Sequence, residues 1–235
     1  MKSKRGIIID MYEKELRDIL TANGADLVGF SNVSDELPEE LKAFPYAVTI
    51  VRRLSRAVTD TIQGAPSMIY FQHYRITNTK LDLLALDAVS FIEKQGFLAL
   101  PIAASQSTPD AKEEYKGVFP HKTAAVKSGL GFIGKSGVLI TEEHGSFVRL
   151  ATVLTDMPLE PSGEVHGSKC GACTLCRDAC PGHAITGEEY VPGHPRKEIL
   201  DAKKCSEHMK TYRNIGRGAV CGICMSVCPY NKKRK

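Results

Sequence analysis

Cys170-Gly-Ala-Cys173-Thr-Leu-Cys176-Arg-Asp-Ala-Cys180-Pro181 is the most informative stretch of the chain. It reads C-x2-C-x2-C-x3-C-P, the run of bacterial-type ferredoxins. Three thiolates on one tight loop reach three corners of one cubane, and the fourth cysteine faces a different cluster. Downstream come a lone Cys205 and then Cys221-Gly-Ile-Cys224-Met-Ser-Val-Cys228-Pro229. Eight thiolates make two sets of four. Crossed pairing predicts Cys170, Cys173, Cys176 and Cys228 on one [4Fe–4S] cluster, and Cys180, Cys205, Cys221 and Cys224 on the other. Zinc sites use two C-x2-C pairs set well apart, which three cysteines in seven residues fit poorly. Disulfides do not suit a reducing compartment.

Around this module the chain divides sharply. None of the 8 cysteines lies before Cys170. From Lys203 to the end there are nine Lys/Arg against Glu207, whereas the whole chain carries +4. An acidic, cysteine-free body therefore precedes a basic, cysteine-rich tail. The bases Lys203, Lys204, Lys210, Arg213 and Arg217 offset the negative charge of thiolate-ligated clusters and tune their potential. Lys232-Lys233-Arg234-Lys235 reads as a solvated end, with an acidic or nucleic-acid partner as the alternative.

The 235 residues exceed a typical domain of ~150. A 43% apolar and 25% charged composition is that of a folded globular chain. No apolar run is long enough to span a bilayer, and Ile7–Ile9 is no signal-peptide core, so the expectation is a cytoplasmic protein without a membrane anchor. Helical periodicity runs over Met11–Leu20, closing near Gly24, and over Leu81–Ile92, closing at Gly96. Strand-like runs occupy 26–30, 47–52, 97–103, 137–141 and 147–155. This alternation predicts a mixed α/β (α+β) layer fold. Pro158–Lys169 reads as a linker, which divides the chain into residues 1–160 and 161–235.

Gly129-Leu-Gly131-Phe-Ile-Gly134 matches G-x-G-x-x-G. A dinucleotide site needs a strand before that loop and a helix after it. Here His121–Lys127 reads as helix and 137–141 as strand, so the order is reversed. The glycines instead point to a close backbone approach, to another element or to a flat cofactor.

The stretch from His121 through Gly129-Leu-Gly-Phe-Ile-Gly-Lys135-Ser136-Gly-Val-Leu-Ile, then Gly145-Ser-Phe-Val-Arg-Leu and Leu154-Thr-Asp-Met-Pro-Leu159, resembles the epoxyqueuosine reductase family and its relatives, the reductive dehalogenases. The double cysteine module matches as well, and the resemblance covers roughly residues 40–230. It implies a nitroreductase-related cobalamin-binding domain joined to a double [4Fe–4S] module. It further implies a cytoplasmic oxidoreductase whose clusters, fed by an external low-potential donor such as ferredoxin or flavodoxin, pass electrons to base-off cobalamin. By resemblance the Gly129, Gly131 and Gly134 loop lies against the corrin, Lys135 and Ser136 are polar contacts, and His73 and Arg75 belong to a segment near the cofactor.

Two departures from the family pattern shape the expectation. The acidic proton donor of epoxyqueuosine reductases falls on Tyr115 by ungapped counting, and reductive dehalogenases use a tyrosine acid. A small gap selects Asp110, Glu113 or Glu114 instead. The helical repeats common in tRNA-modifying members have no counterpart after Cys228, which makes tRNA a doubtful partner and leaves the small-molecule or modified-nucleoside substrate open. Two other classes remain beside the reductase: a ferredoxin-like electron-transfer protein without cobalamin, and a corrinoid carrier or reduction protein.

Overall fold

A computed structural model describes residues 4–106, 115–216 and 219–232. Helix α1 (Lys4–Ala22) buries Leu16 and Leu20 completely and ends before a turn at Gly24. The chain then enters a four-stranded sheet of β1 (Leu27–Asn32), β2 (Tyr46–Arg53), β3 (Ala99–Ile102) and β6 (Val148–Thr155). Its order is β1-β2-β6-β3, with every neighbouring pair antiparallel. Strands β2 and β6 pair along their whole length, from Tyr46 opposite Thr155 to Arg53 opposite Val148.

Alternation along these strands sends residues to two cores. Val28, Phe30, Val48, Ile50, Ala151 and Val153 meet α1 and α3 (Met68–Lys94) on one face. Val51, Val148 and Leu150 meet Ala125 of α4 (His121–Lys127) and Leu139 on the other. At the end of α4, a Cβ on Gly29 would come 2.7 Å from that of Ser128, so only glycine lets this corner seat on β1.

Helix α4 leads into a two-stranded hairpin, β4 (Phe132–Ile133) and β5 (Leu139–Ile140), with Phe132 opposite Ile140 and Ile133 opposite Leu139. Helix precedes hairpin, so the strand–loop–helix order of a dinucleotide site is absent here. Short helix α2 (Arg56–Thr59) follows β2.

Beyond β6 the chain doubles back along the open edge of β1. Ser162 donates its backbone N–H to Phe30 O and accepts from Phe30 N through Oγ, at 3.0 and 2.8 Å. Among its described residues the cysteine-rich part holds three short α-helices: α5 (Leu175–Asp178), α6 (Ala202–Met209) and α7 (Ile223–Ser226). Asp201 caps α6 by accepting from Lys204 N at 3.0 Å. Ile215, Val220 and Ile223 pack with Leu54, Ile62 and Tyr70 of the body, so the two parts share a core.

The elements follow the sequence reading, except that α1 starts at Lys4, before the periodic stretch at Met11, and that α3 and β4 differ from it as follows. Helix α3 begins at Met68, capped by Ser67, well before the periodic stretch at Leu81. Its first half covers the cysteine-rich segment with a mixed polar and aromatic face, which breaks the apolar period. Strand β4 lies inside the glycine loop, where its two residues are too few to show alternation. Among the described residues no helix is long and apolar enough to cross a membrane.

Candidate functional site

No two of the eight cysteines are joined by a disulfide. Cys170, Cys173, Cys176, Cys224 and Cys228 line a cavity of ≈ 310 Å³, together with Lys135, Ser136 and Ile140. Electrostatic influence sorts the thiols further. Burial, and then Cys170 and Cys173, push the Cys176 thiol above its ordinary value. Burial also raises Cys228, and the same two cysteines add to it, while the Tyr230 backbone and the Ser146 hydroxyl act in the opposite sense. On the other side, burial, Cys221 and Cys180 push Cys205 up to about 11. Burial raises the Cys224 thiol first, then Cys221, Cys205, Cys176 and Cys180, so it is influenced by both groups.

Thiols this crowded and desolvated are costly as anions unless a cation compensates them. Cys170, Cys173, Cys176, Cys224 and Cys228 line one cavity, a thiol-rich wall whose donors suit an iron–sulfur group. Tyr212 Oη lies 3.6 Å from Cys221 Sγ and 3.0 Å from His208 Nε2, a polar contact to the second group.

A second, larger cavity of ≈ 710 Å³ lies between body and cysteine-rich part. This is within the size range of small-molecule sites, roughly 300–1,000 Å³. Its wall includes Ile133, Val138 and Leu139 of the hairpin segment, Val148, Arg149 and Leu150 of β6, His121 and Lys122 of α4, and Tyr190 and Arg196 from beyond the linker. Ser146 and Met225 also line it, and Met225 adjoins Cys224 in sequence. The hairpin is the wall common to both cavities. Ile133 and Leu139 face the large one, whereas Ile140 lines the small one and, with Phe132, packs on Cys170 and Cys228.

The polar groups of the large cavity are tightly organised. Arg149 donates to Asn78 Oδ1, Tyr74 Oη and Ala104 O at 2.9, 3.1 and 3.3 Å and stacks 4.2 Å over the Tyr74 ring. Burial would raise Tyr74, yet Arg149 and hydrogen bonds from Ser105 and Asn78 outweigh it and hold the phenol below its usual range. His121 Nε2 donates to Ala103 O at 3.0 Å, and Nδ1 accepts from Thr152 Oγ1 at 2.8 Å. Burial pushes its pKa down to about 4, with Arg149 and Lys122 adding to the effect, so the ring is neutral at pH 7.

This has a consequence for acid stability. The unfolded ring titrates near 6.5 and the folded one near 4, so the unfolded chain takes up the proton first as pH falls. Stability is full above pH 6.5 and decreases from there to pH 4, by about 2 kcal/mol at pH 5. Urea melts of the wild type at pH 7 and pH 5 should differ by this amount more than those of His121→Gln. Equal losses in the two proteins would contradict the assignment.

The residues singled out in the sequence are distributed unevenly. Tyr115 lines the large cavity in a left-handed conformation (φ 62°), its carbonyl accepting from Arg196 at 2.9 Å. Asp110, Glu113 and Glu114 lie outside the described residues. The glycine loop is held by protein. Gly129 abuts Gly163, Gly131 abuts the Ile140 backbone, and a Cβ on Gly134 would lie 3.3 Å from Cys170 Sγ. Lys135 and Ser136 line the cysteine cavity rather than the large one, and Lys135 Nζ donates to Gly171 O at 2.7 Å. His73 accepts from Ser55 N at 2.9 Å and Arg75 stacks over Phe71, so neither faces the large cavity. The reading missed Lys122, Arg149 and Arg196. A charge inside the apolar strand Val148–Thr155 is the one sequence signal that marks Arg149.

Residues 169–231 match the family described as a 4Fe-4S double cluster binding domain. The epoxyqueuosine reductase of Synechocystis sp. is 31% identical over 150 residues, covering 57% of this chain and 48% of that protein. In two further epoxyqueuosine reductases the match covers 33% and 39% of the relative, so the chain spans less than half of these curated proteins. An epoxyqueuosine reductase solved with an epoxyqueuosine-modified tRNA stem loop superposes with a TM-score of 0.61 at 23% identity, over 97% of this chain and 67% of that one. A reductive dehalogenase, whose structure suggests a mechanism for B12-dependent dehalogenation, superposes with a TM-score of 0.70 at 19% identity, over 92% and 31%. The chain is thus related in sequence to epoxyqueuosine reductases, and it shares its fold with them and with reductive dehalogenases.

Proposed function

We propose that the chain is a cytoplasmic iron–sulfur oxidoreductase in which two [4Fe–4S] clusters deliver electrons to a base-off cobalamin held in the large cavity. The observation that carries this reading is the pair of cavities divided by one hairpin, one lined by cysteines and the other of small-molecule size. Residues 161–235 would hold the clusters, with Cys170, Cys173, Cys176 and Cys228 on one and Cys180, Cys205, Cys221 and Cys224 on the other. Residues 1–160 would supply most of the cofactor wall. The thiols' mutual crowding supports these ligand sets.

When bound, the corrinoid supplies a strongly reducing metal centre for the chemistry. The chain's own residues position and protonate. Ile133, Val138 and Leu139 offer an apolar part of the wall, and Tyr115 lines the same cavity. We assign Tyr115 the role of acid, with Asp110 as the alternative, and Lys135 and Ser136 a place at the cluster side. Neutral His121 is fixed by Thr152 and Ala103, beside Pro120 and Lys122, which also line the cavity.

The substrate class follows the relatives. A modified nucleoside in tRNA is supported by the sequence relation to epoxyqueuosine reductases and by the fold shared with one solved on a modified stem loop. The expectation against tRNA rested on where the chain stops, which decides nothing about the site. A ferredoxin- or flavodoxin-type donor would feed the clusters.

The test is anaerobic reconstitution with iron and sulfide, then hydroxocobalamin, mild reduction and gel filtration. About eight irons per chain and one retained cobalt with a base-off EPR signal are expected. Zinc in place of iron would overturn the cluster assignment. About eight irons without cobalt would leave an electron-transfer protein and overturn the corrinoid half.

A further inference from the structure

Helix α6 brings more than one thiol to the second cysteine group. Cys205 and His208 stand three residues apart on it, so they are neighbours on its surface. The turn after Cys180 packs on His208. A Cβ on Gly182 would come 2.9 Å from the His208 Cβ, so the missing side chain lets the ring seat against that turn. Just past the helix, Tyr212 donates its backbone N–H to Met209 O at 3.4 Å, which turns the phenol back toward α6. The two rings meet edge to face with centroids 5.1 Å apart. His208 Nε2, Tyr212 Oη and Cys221 Sγ thus form a chain, with steps of 3.0 and 3.6 Å. Cys221, Cys180 and Cys205 all act on the phenol, which places it beside three thiols of the second group.

The direction of both hydrogen bonds follows from valence. A metal-bound thiolate has no proton to give, so the phenol donates to Cys221 Sγ. The phenol oxygen then accepts, and His208 donates through Nε2–H. Each bond in such a chain polarises the next, so the imidazole strengthens an O–H···S contact that it does not touch. A donor to a ligand sulfur holds the more negative, reduced cluster more tightly and so raises its potential.

We propose that Tyr212, held by His208, is a positioning residue that raises the potential of the [4Fe–4S] cluster bound through Cys221. The inference rests on the cluster assignment above and is independent of cobalamin and of the substrate. Reduction is a one-electron step from an external low-potential donor. No bond to the cluster forms or breaks, and the phenol keeps its proton.

The test is a dithionite potentiometric titration of the full, cluster-loaded chain, followed by EPR. It compares wild type, Tyr212→Phe, His208→Leu and the double variant. Tyr212→Phe removes the hydroxyl and keeps the ring. It should lower the reduction constant of one cluster about tenfold, a downward shift of roughly 59 mV for one electron. The other midpoint and a load of about eight irons should stay as in wild type. His208→Leu should lower the same midpoint by less. The double variant should do no more than Tyr212→Phe, because the imidazole acts through the phenol. Unchanged midpoints in Tyr212→Phe, equal shifts of both clusters, or additive shifts in the double variant overturn the inference and leave the clusters standing. Should Tyr212→Phe lose iron, His208→Leu decides: a lowered midpoint at full iron load supports the inference, and an unchanged one overturns it. A wild-type chain that takes up no iron overturns the cluster assignment, and the inference with it.

Discussion

Replacing Cys176 and Cys228 together by alanine is expected to leave a folded chain that retains about four irons, half of the reconstituted load. In the crossed arrangement both residues serve one cluster, so the second deletion removes nothing that the first has not already lost. The pair Cys176→Ala with Cys180→Ala should behave differently. These cysteines lie four residues apart, Cys176 on α5 and Cys180 just beyond its end, yet the proposed pairing puts them on different clusters, so this variant should lose both and hold almost no iron. An arrangement by sequence order reverses the two results, because Cys176 and Cys180 would then share a cluster. Iron assays and EPR of the two double variants therefore read the pairing directly. The expectation rests on Cys170 and Cys173 acting on both Cys176 and Cys228, and on Cys180 and Cys221 acting on Cys205. Loss of half the iron-bound structure is also a large stability effect, since cluster binding is folding free energy for the segment it ties together.

Gly131→Ala should be the most destabilising single substitution in the body. Gly131 has φ 157°, and a Cβ there would collide with the Ile140 carbonyl, lying 2.9 Å from its carbon and 3.1 Å from Thr141 Cα. Those atoms are backbone in the facing strand, so no rotamer change relieves the clash. Separation of β4 from β5 would disturb both cavities at once. A loss of at least about 3 kcal/mol is expected. Gly64→Ala is the control: it also has positive φ (71°) but nothing within 4 Å, so it should cost only about 1 kcal/mol of backbone strain. Denaturant melts of the two loaded variants measure the difference. A Gly131→Ala protein as stable as Gly64→Ala would mean that the hairpin yields easily and that its close approach is not structural.

The cysteine module was legible because its geometry is local. Cys170, Cys173, Cys176 and Cys180 are fixed by a few peptide units, and the spacing alone states what they can reach. The body's strands were legible too, since β2 and β6 are buried on both faces and read as continuous apolar runs. The large cavity was not. Its wall draws on α4, β6, the hairpin and the segment near Arg196, residues brought together only by the tertiary fold. Lys122 in isolation looks like an ordinary helix-surface lysine, and nothing around Arg196 sets it apart from the other bases of the tail.

The glycine loop shows the opposite difficulty. Its pattern was conspicuous, and its need for close approach was read correctly. The partner was not legible, because a glycine records that something is near without recording what. Here the approaching groups are the backbones of Gly163 and Ile140 and the sulfur of Cys170.

The hairpin between the two cavities has one more implication. Side chains on its opposite faces serve different chambers, and the barrier is a single layer of polypeptide. Such a layer is a septum of the kind that divides an electrochemical cell. Water, protons and solutes must travel around it, because Phe132, Ile133, Leu139 and Ile140 present only hydrocarbon. An electron needs no channel and is hindered only by distance. On the proposed function, the fold would thereby part a reaction space from a metal-binding space while leaving the two one polypeptide layer from each other.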